Sequence, residues 1–110
     1  MTETEAEKIA QTESLFREVN ERIAETAGRF GAEQTSFVCE CADATCTHRV
    51  EASLAEYEGV REHGATFLLV PGHEDARVEA VVERQDEHAI VEKREPTVRA
   101  LVVELDPRAA

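Results

Sequence analysis

The chain has no tryptophan, one tyrosine, four phenylalanines and one methionine in 110 residues. So few large apolar side chains build only a thin core. A small domain of this kind commonly leans on a metal or a second chain for stability. Long apolar runs are also missing, none approaching the ~18 residues of a membrane span. Residues 1–8 are acidic and lack the basic segment and apolar stretch of a secretory leader. These absences lead us to expect a cytoplasmic protein with no membrane partner. Basic residues are outnumbered 12 to 24 by acidic ones, for a formal charge of −12. Such a surface repels phosphate backbones, so no nucleic-acid partner is expected, and it suits a basic protein partner instead. There is no glycine-rich phosphate loop, and Ser14, Ser36 and Ser53 sit in no nucleophile elbow.

Cysteine is absent everywhere except one short stretch, which holds Cys39, Cys41 and Cys46. In a reducing compartment clustered cysteines are metal ligands more often than disulfides, and an odd count fits no pure disulfide framework. Cys39 and Cys41 alternate with Glu40, and residues i and i+2 of a strand project to one face. The loop 42–45 would return Cys46 to the same point. Its backbone N–H groups can donate to the thiolates, and Asp43 can organise the turn. Three thiolates and a histidine make a closed tetrahedral zinc site. The other reading is reduced thiols in a core, one of them reactive. The fourth ligand is open between His48, two residues after Cys46, and His73, presented by the rigid turn Pro71-Gly72. His63 and His88 stand at element ends and read as exposed histidines.

The pattern of elements is α+β: a long N-terminal helix, a small antiparallel sheet and a second short helix, stabilised by zinc. We read one domain over 1–110, with 1–31 as a helical arm and 35–105 as the zinc-bound sheet core. Residues 4–30 contain no proline and no glycine before Gly28. Ile9, Phe16, Ile23 and Phe30 recur there every seventh residue, with Val19 beside them. This stripe either packs on the sheet or forms a seam to a second chain, a homodimer through the N-terminal helix. Thr12 and Thr26 weaken the seam as a coiled coil.

Strands are expected at 35–40 and 48–52. The capping box Ser53-Leu54-Ala55-Glu56 should open a helix at 54–63. A buried strand at 66–70 should end at Pro71-Gly72. Residues 75–84 suit either a helix or a strand. The favoured reading is a hairpin that turns at 85–87 and returns over 88–93. Val98–Leu105 reads as a last strand and residues 108–110 as a tail.

The pattern Phe37-Val38-Cys39-Glu40-Cys41, Cys46, Leu54-x-x-Tyr57-Glu58-x-Val60-Arg61, Phe67, Pro71-Gly72-His73-Glu74 and Val81-Val82-Glu83-Arg84 resembles a family of small proteins of GC-rich bacteria with no assigned activity. The resemblance covers most of the chain after the first helix. It implies a fold unit and no chemistry, and it favours His73 over His48 as the fourth ligand, since His73 stands in the pattern. The expected function is a small zinc-binding protein acting as an interaction or regulatory module, with structural zinc. The alternative is a zinc hydrolase or thiol-redox protein using the cysteine cluster. The zinc deaminase arrangement of H-x-E with P-C-x-x-C is absent.

Overall fold

Thr2 accepts a hydrogen bond from the Glu5 N–H and opens the first helix, α1 (Glu3–Arg29), whose first turn carries Glu3 and Glu5 at the positive end of its dipole. The computed structural model describes residues 1–108. After α1 come β1 (Gln34–Val38), β2 (Arg49–Ser53), α2 (Leu54–Val60), β3 (Thr66–Leu69), β4 (Glu79–Arg84), β5 (Ala89–Lys93) and α3 (Pro96–Glu104). This is the α+β mixture of one long helix, short helices and antiparallel strands. The strands form two small sheets, β1–β2 and β3–β5–β4. The sheets meet where the Glu40 N–H donates to the Leu68 carbonyl at 2.9 Å. The capping box at Ser53 and Glu56 is made in both directions. Residues 79–93 form the hairpin, with a bulge between Val81 and Glu83.

The core lies between the helices and the two sheets. Phe37 stacks on Tyr57 with ring centroids 4.6 Å apart. Two cations lie over the Phe67 ring, Arg17 at 4.5 Å and Lys93 at 4.9 Å from its centroid. β3 is buried along its whole length, and Val50, Val78, Val91, Val98 and Val102 are fully enclosed.

Three expectations are corrected. Val98–Leu105 is not a strand but the greater part of α3. Glu95 accepts from the Val98 N–H as N-cap and Pro96 takes the first turn, where a missing N–H costs nothing. The valines then fall at helical spacing, with Val98 and Val102 buried on one face.

The heptad stripe of α1 is not the face it buries against the chain. Ile9 is buried, Phe16 and Ile23 are half-buried, and Val19 and Phe30 are exposed. The buried face is Ala6, Ile9, Ala10, Glu13, Ser14, Arg17, Asn20, Ala24 and Ala27, so of the stripe only Ile9 belongs to it. Its charged members have partners: Glu13 pairs with Lys93, which also holds Glu79, and Arg17 donates to the carbonyls of Gly64 and Val102.

Arg108 is not a loose tail, since it pairs with both Glu21 and Glu58 at 2.7 Å; Ala109 and Ala110 lie outside the described residues. No helix among the described residues is long and apolar enough to cross a membrane.

Candidate metal centre

Three segments bring four ligand atoms together. β1 ends at Val38, so Cys39 and Cys41 leave its end, with Cys39 still tied to the neighbouring arm by its N–H to the His48 carbonyl. The loop closes on Asp43. Its Oδ1 accepts from the Thr45 N–H and hydroxyl at 2.9 and 2.7 Å, and its carbonyl accepts from the Cys46 N–H. That turn carries Cys46 back beside Cys39. From the far side, β3 runs into Pro71-Gly72, where Gly72 takes φ +94° and the His73 N–H returns to the Val70 carbonyl. A side chain resists that φ, which is why glycine sits there. Glu74 braces the turn by accepting from the Gly72 N–H. The turn aims the His73 ring at the sulfurs.

The sulfurs of Cys39, Cys41 and Cys46 and a ring nitrogen of His73 all lie within 4.8 Å of one another. His73 Nδ1 is 3.6 Å from Cys39 Sγ and 3.7 Å from Cys46 Sγ. Zinc bonds of about 2.3 Å to sulfur and 2.0–2.1 Å to nitrogen give a tetrahedral N···S edge of about 3.6 Å. The four side chains are therefore spaced as the corners of one coordination shell and can hold a metal ion. Cys39 and Cys41 are buried, while Cys46 and His73 are half-buried.

The Cys39 sulfur also receives the Val70 N–H at 3.3 Å, and the backbone at Asp43 and at His48 pulls the Cys41 and Cys46 thiols down. Such bonds stabilise thiolates and orient them. The sulfurs share their protons unequally. The Cys39 thiol is pushed up by its hydrogen bond to Cys41 and by burial. Accepting from Cys39 lowers Cys41 to about 5, and burial raises Cys46.

His48 stands beside this group and not within it. It is exposed and meets the His73 ring edge-on, with centroids 4.9 Å apart. His63 is exposed. His88 is a further correction: it is buried, with Nε2 3.7 Å from Glu56 Oε2.

Two residues of the site were not singled out from sequence. Glu40 is fully buried between the two cysteines, accepting from the Leu68 N–H at 2.9 Å and from Asn20 at 2.8 Å. Burial lifts its carboxyl to about 7 against the pull of those two donors. Asn20 donates to the Val38 carbonyl at 2.9 Å and accepts the Val38 N–H at 2.8 Å. Together they tie α1 to the strand that delivers Cys39. The alternation that sends both cysteines one way sends Glu40 the other, which was the one available signal.

Neither a protein-family model, nor a curated protein, nor a solved structure matches this chain.

Proposed function

We propose that this chain is a small cytoplasmic zinc-binding module that acts by binding other proteins, its zinc structural and held by Cys39, Cys41, Cys46 and His73. The carrying observation is the spacing of His73 Nδ1 from two sulfurs at 3.6 and 3.7 Å, the edge of a tetrahedron of this composition. Three soft sulfurs and an imidazole suit zinc better than a hard oxygen-seeking cation. Four protein ligands fill a tetrahedron and leave no position for a catalytic water. The acidic surface, −12 overall, suits a basic partner.

The reading is tested on the purified chain by metal analysis beside thermal melting, with and without a strong chelator. The expected result is about one zinc per chain and a large fall in Tm when it is stripped. A metal-free chain with a chelator-insensitive Tm overturns it. The rival, a hydrolase or thiol-redox protein using the same cysteines, requires an open coordination position or a zinc-free cluster, and a full complement of four protein ligands rejects both.

A further inference from the structure

Helix α1 buries three polar side chains on its inner face and leaves apolar ones on its outer side. Glu13, Arg17 and Asn20 are fully buried on its inner face, while Leu15, Val19 and Phe30 stand 59%, 39% and 82% exposed. Leu15, Val19 and Ile23 form one wall of an open groove of about 740 Å³, whose other wall is Ala32 and the Thr35 end of β1. A helix hides its apolar side unless another surface covers it.

Along the solvent rim of the groove runs a row spaced by four, three and four residues: Glu18, Arg22, Glu25 and Arg29. Such spacing keeps the four on one side of a helix. The row holds two acids and two bases in alternating order, so it is neutral on a chain of net charge −12.

We infer that this groove is covered by a second copy of the same chain, the two α1 helices lying antiparallel. The rim decides between occupants. A neutral rim gives a basic partner no net attraction, whereas an alternating row complements its own reverse. A two-fold axis passing between Arg22 and Ile23 sets Leu15 opposite the partner's Phe30 and Val19 opposite the partner's Thr26. It brings Glu18 beside the partner's Arg29 and Arg22 beside the partner's Glu25. Each contact occurs twice, as a self-complementary interface requires. The seventh-residue interval of Phe16, Ile23 and Phe30 is that of a helix facing a helix. The Arg29–Glu25 pair within the chain is exposed on both sides and binds weakly, so it can exchange partners across the interface.

The test is sedimentation of the zinc-replete full chain over a wide concentration range, with metal content measured on every sample. The wild type should populate a dimer. Leu15→Glu and Phe30→Glu, both at exposed positions, should be monomeric at the same concentrations with unchanged zinc content and helicity. Glu18→Arg alone and Arg29→Glu alone should each weaken the dimer at least about tenfold, because each sets like charges together twice. Mixing those two variants should restore association, since both cross-interface pairs are then of opposite sign. A wild type that stays monomeric throughout overturns the inference, as does a dimer indifferent to Leu15→Glu and Phe30→Glu. A monomer whose Leu15 and Val19 signals shift on titration with a basic amphipathic peptide also overturns it and gives the groove to that partner. Loss of dimer with zinc retained leaves the metal reading standing, so the two fail separately.

Discussion

At the scale of single residues, the four members of the cluster are not equivalent. Cys39 and Cys41 are buried at the end of β1, whereas Cys46 and His73 are half-buried at the tips of two turns. His73→Ala removes a donor and should weaken zinc binding by more than the roughly 10–100-fold that losing an outer partner costs. His48→Ala removes only an edge contact to the His73 ring and should stay within that range. Competition against a chromophoric chelator measures both, and equal losses would count against the assignment. Cys46→Ser should lose the metal and, with it, much of the cooperative melt.

What was legible at this scale was whatever is local in sequence. The cysteines lie close together, and Pro71-Gly72 announces the turn that presents His73. Glu40 and Asn20 were not legible as a pair, because each looks solvent-bound until the chain brings the other to it. His88 was misjudged for the same reason: a position at a turn says nothing of the residues that fold over it.

At the scale of elements, α1 is held down by polar clamps as much as by apolar contact. Asn20→Ala would orphan the Val38 N–H and carbonyl and one oxygen of Glu40. At roughly 1–3 kcal/mol for each buried group left unpaired, and at the low end for the part-buried Val38 groups, we expect a loss of at least about 3 kcal/mol, read as a shift in denaturant midpoint. Lys93 sits between the carboxylates of Glu13 and Glu79 with no exposure. Lys93→Met takes the cation away from the buried Glu13–Glu79 pair and should cost about 3–5 kcal/mol.

Glu13 carries the pH dependence of this seam. Burial raises its carboxyl from 4.5 to about 8. Between those values the folded chain keeps a proton that the unfolded chain releases, so stability falls as pH rises. The contribution is complete below about pH 4.5 and gone above about pH 8. Glu13→Gln imitates the protonated acid and should reduce the slope across that window, leaving the share of Glu40, whose carboxyl burial also lifts, to about 7, measured as unfolding free energy at a series of pH values. An unchanged slope would place the titration elsewhere.

The elements themselves were legible where local signals agreed, as at the Ser53 capping box and the hairpin of β4 and β5. The valine content of 98–105 masks the third helix, whose start is marked by Glu95-Pro96, a cap followed by a first-turn proline. The inner face of α1 was missed because its buried charges are compensated by Lys93, Gly64 and Val102, which no local window contains.

At the scale of the whole molecule, the cysteine and histidine cluster joins the two sheets. Cys39, Cys41 and Cys46 come from the end of β1 and the loop before β2, and His73 comes from the turn after β3. Without a bound ion the sheets are connected near the site by the bonds of Glu40 with Leu68, the Val70 N–H on Cys39 Sγ and the apolar core. Metal binding should therefore stabilise the fold by mass action, about 4 kcal/mol at a thousandfold excess over Kd. The sequence foresaw antiparallel strands but not their division into two sheets, because strand pairing depends on which segments the metal turns and α1 draw together.

The most direct measurement is X-ray absorption at the zinc edge of the purified, zinc-loaded chain. The account predicts a shell of three sulfurs at about 2.3 Å and one imidazole nitrogen at about 2.0–2.1 Å, with the nitrogen lost in His73→Ala and kept in His48→Ala. A shell of two sulfurs or fewer completed by water oxygen, or an imidazole that persists in His73→Ala, would contradict it.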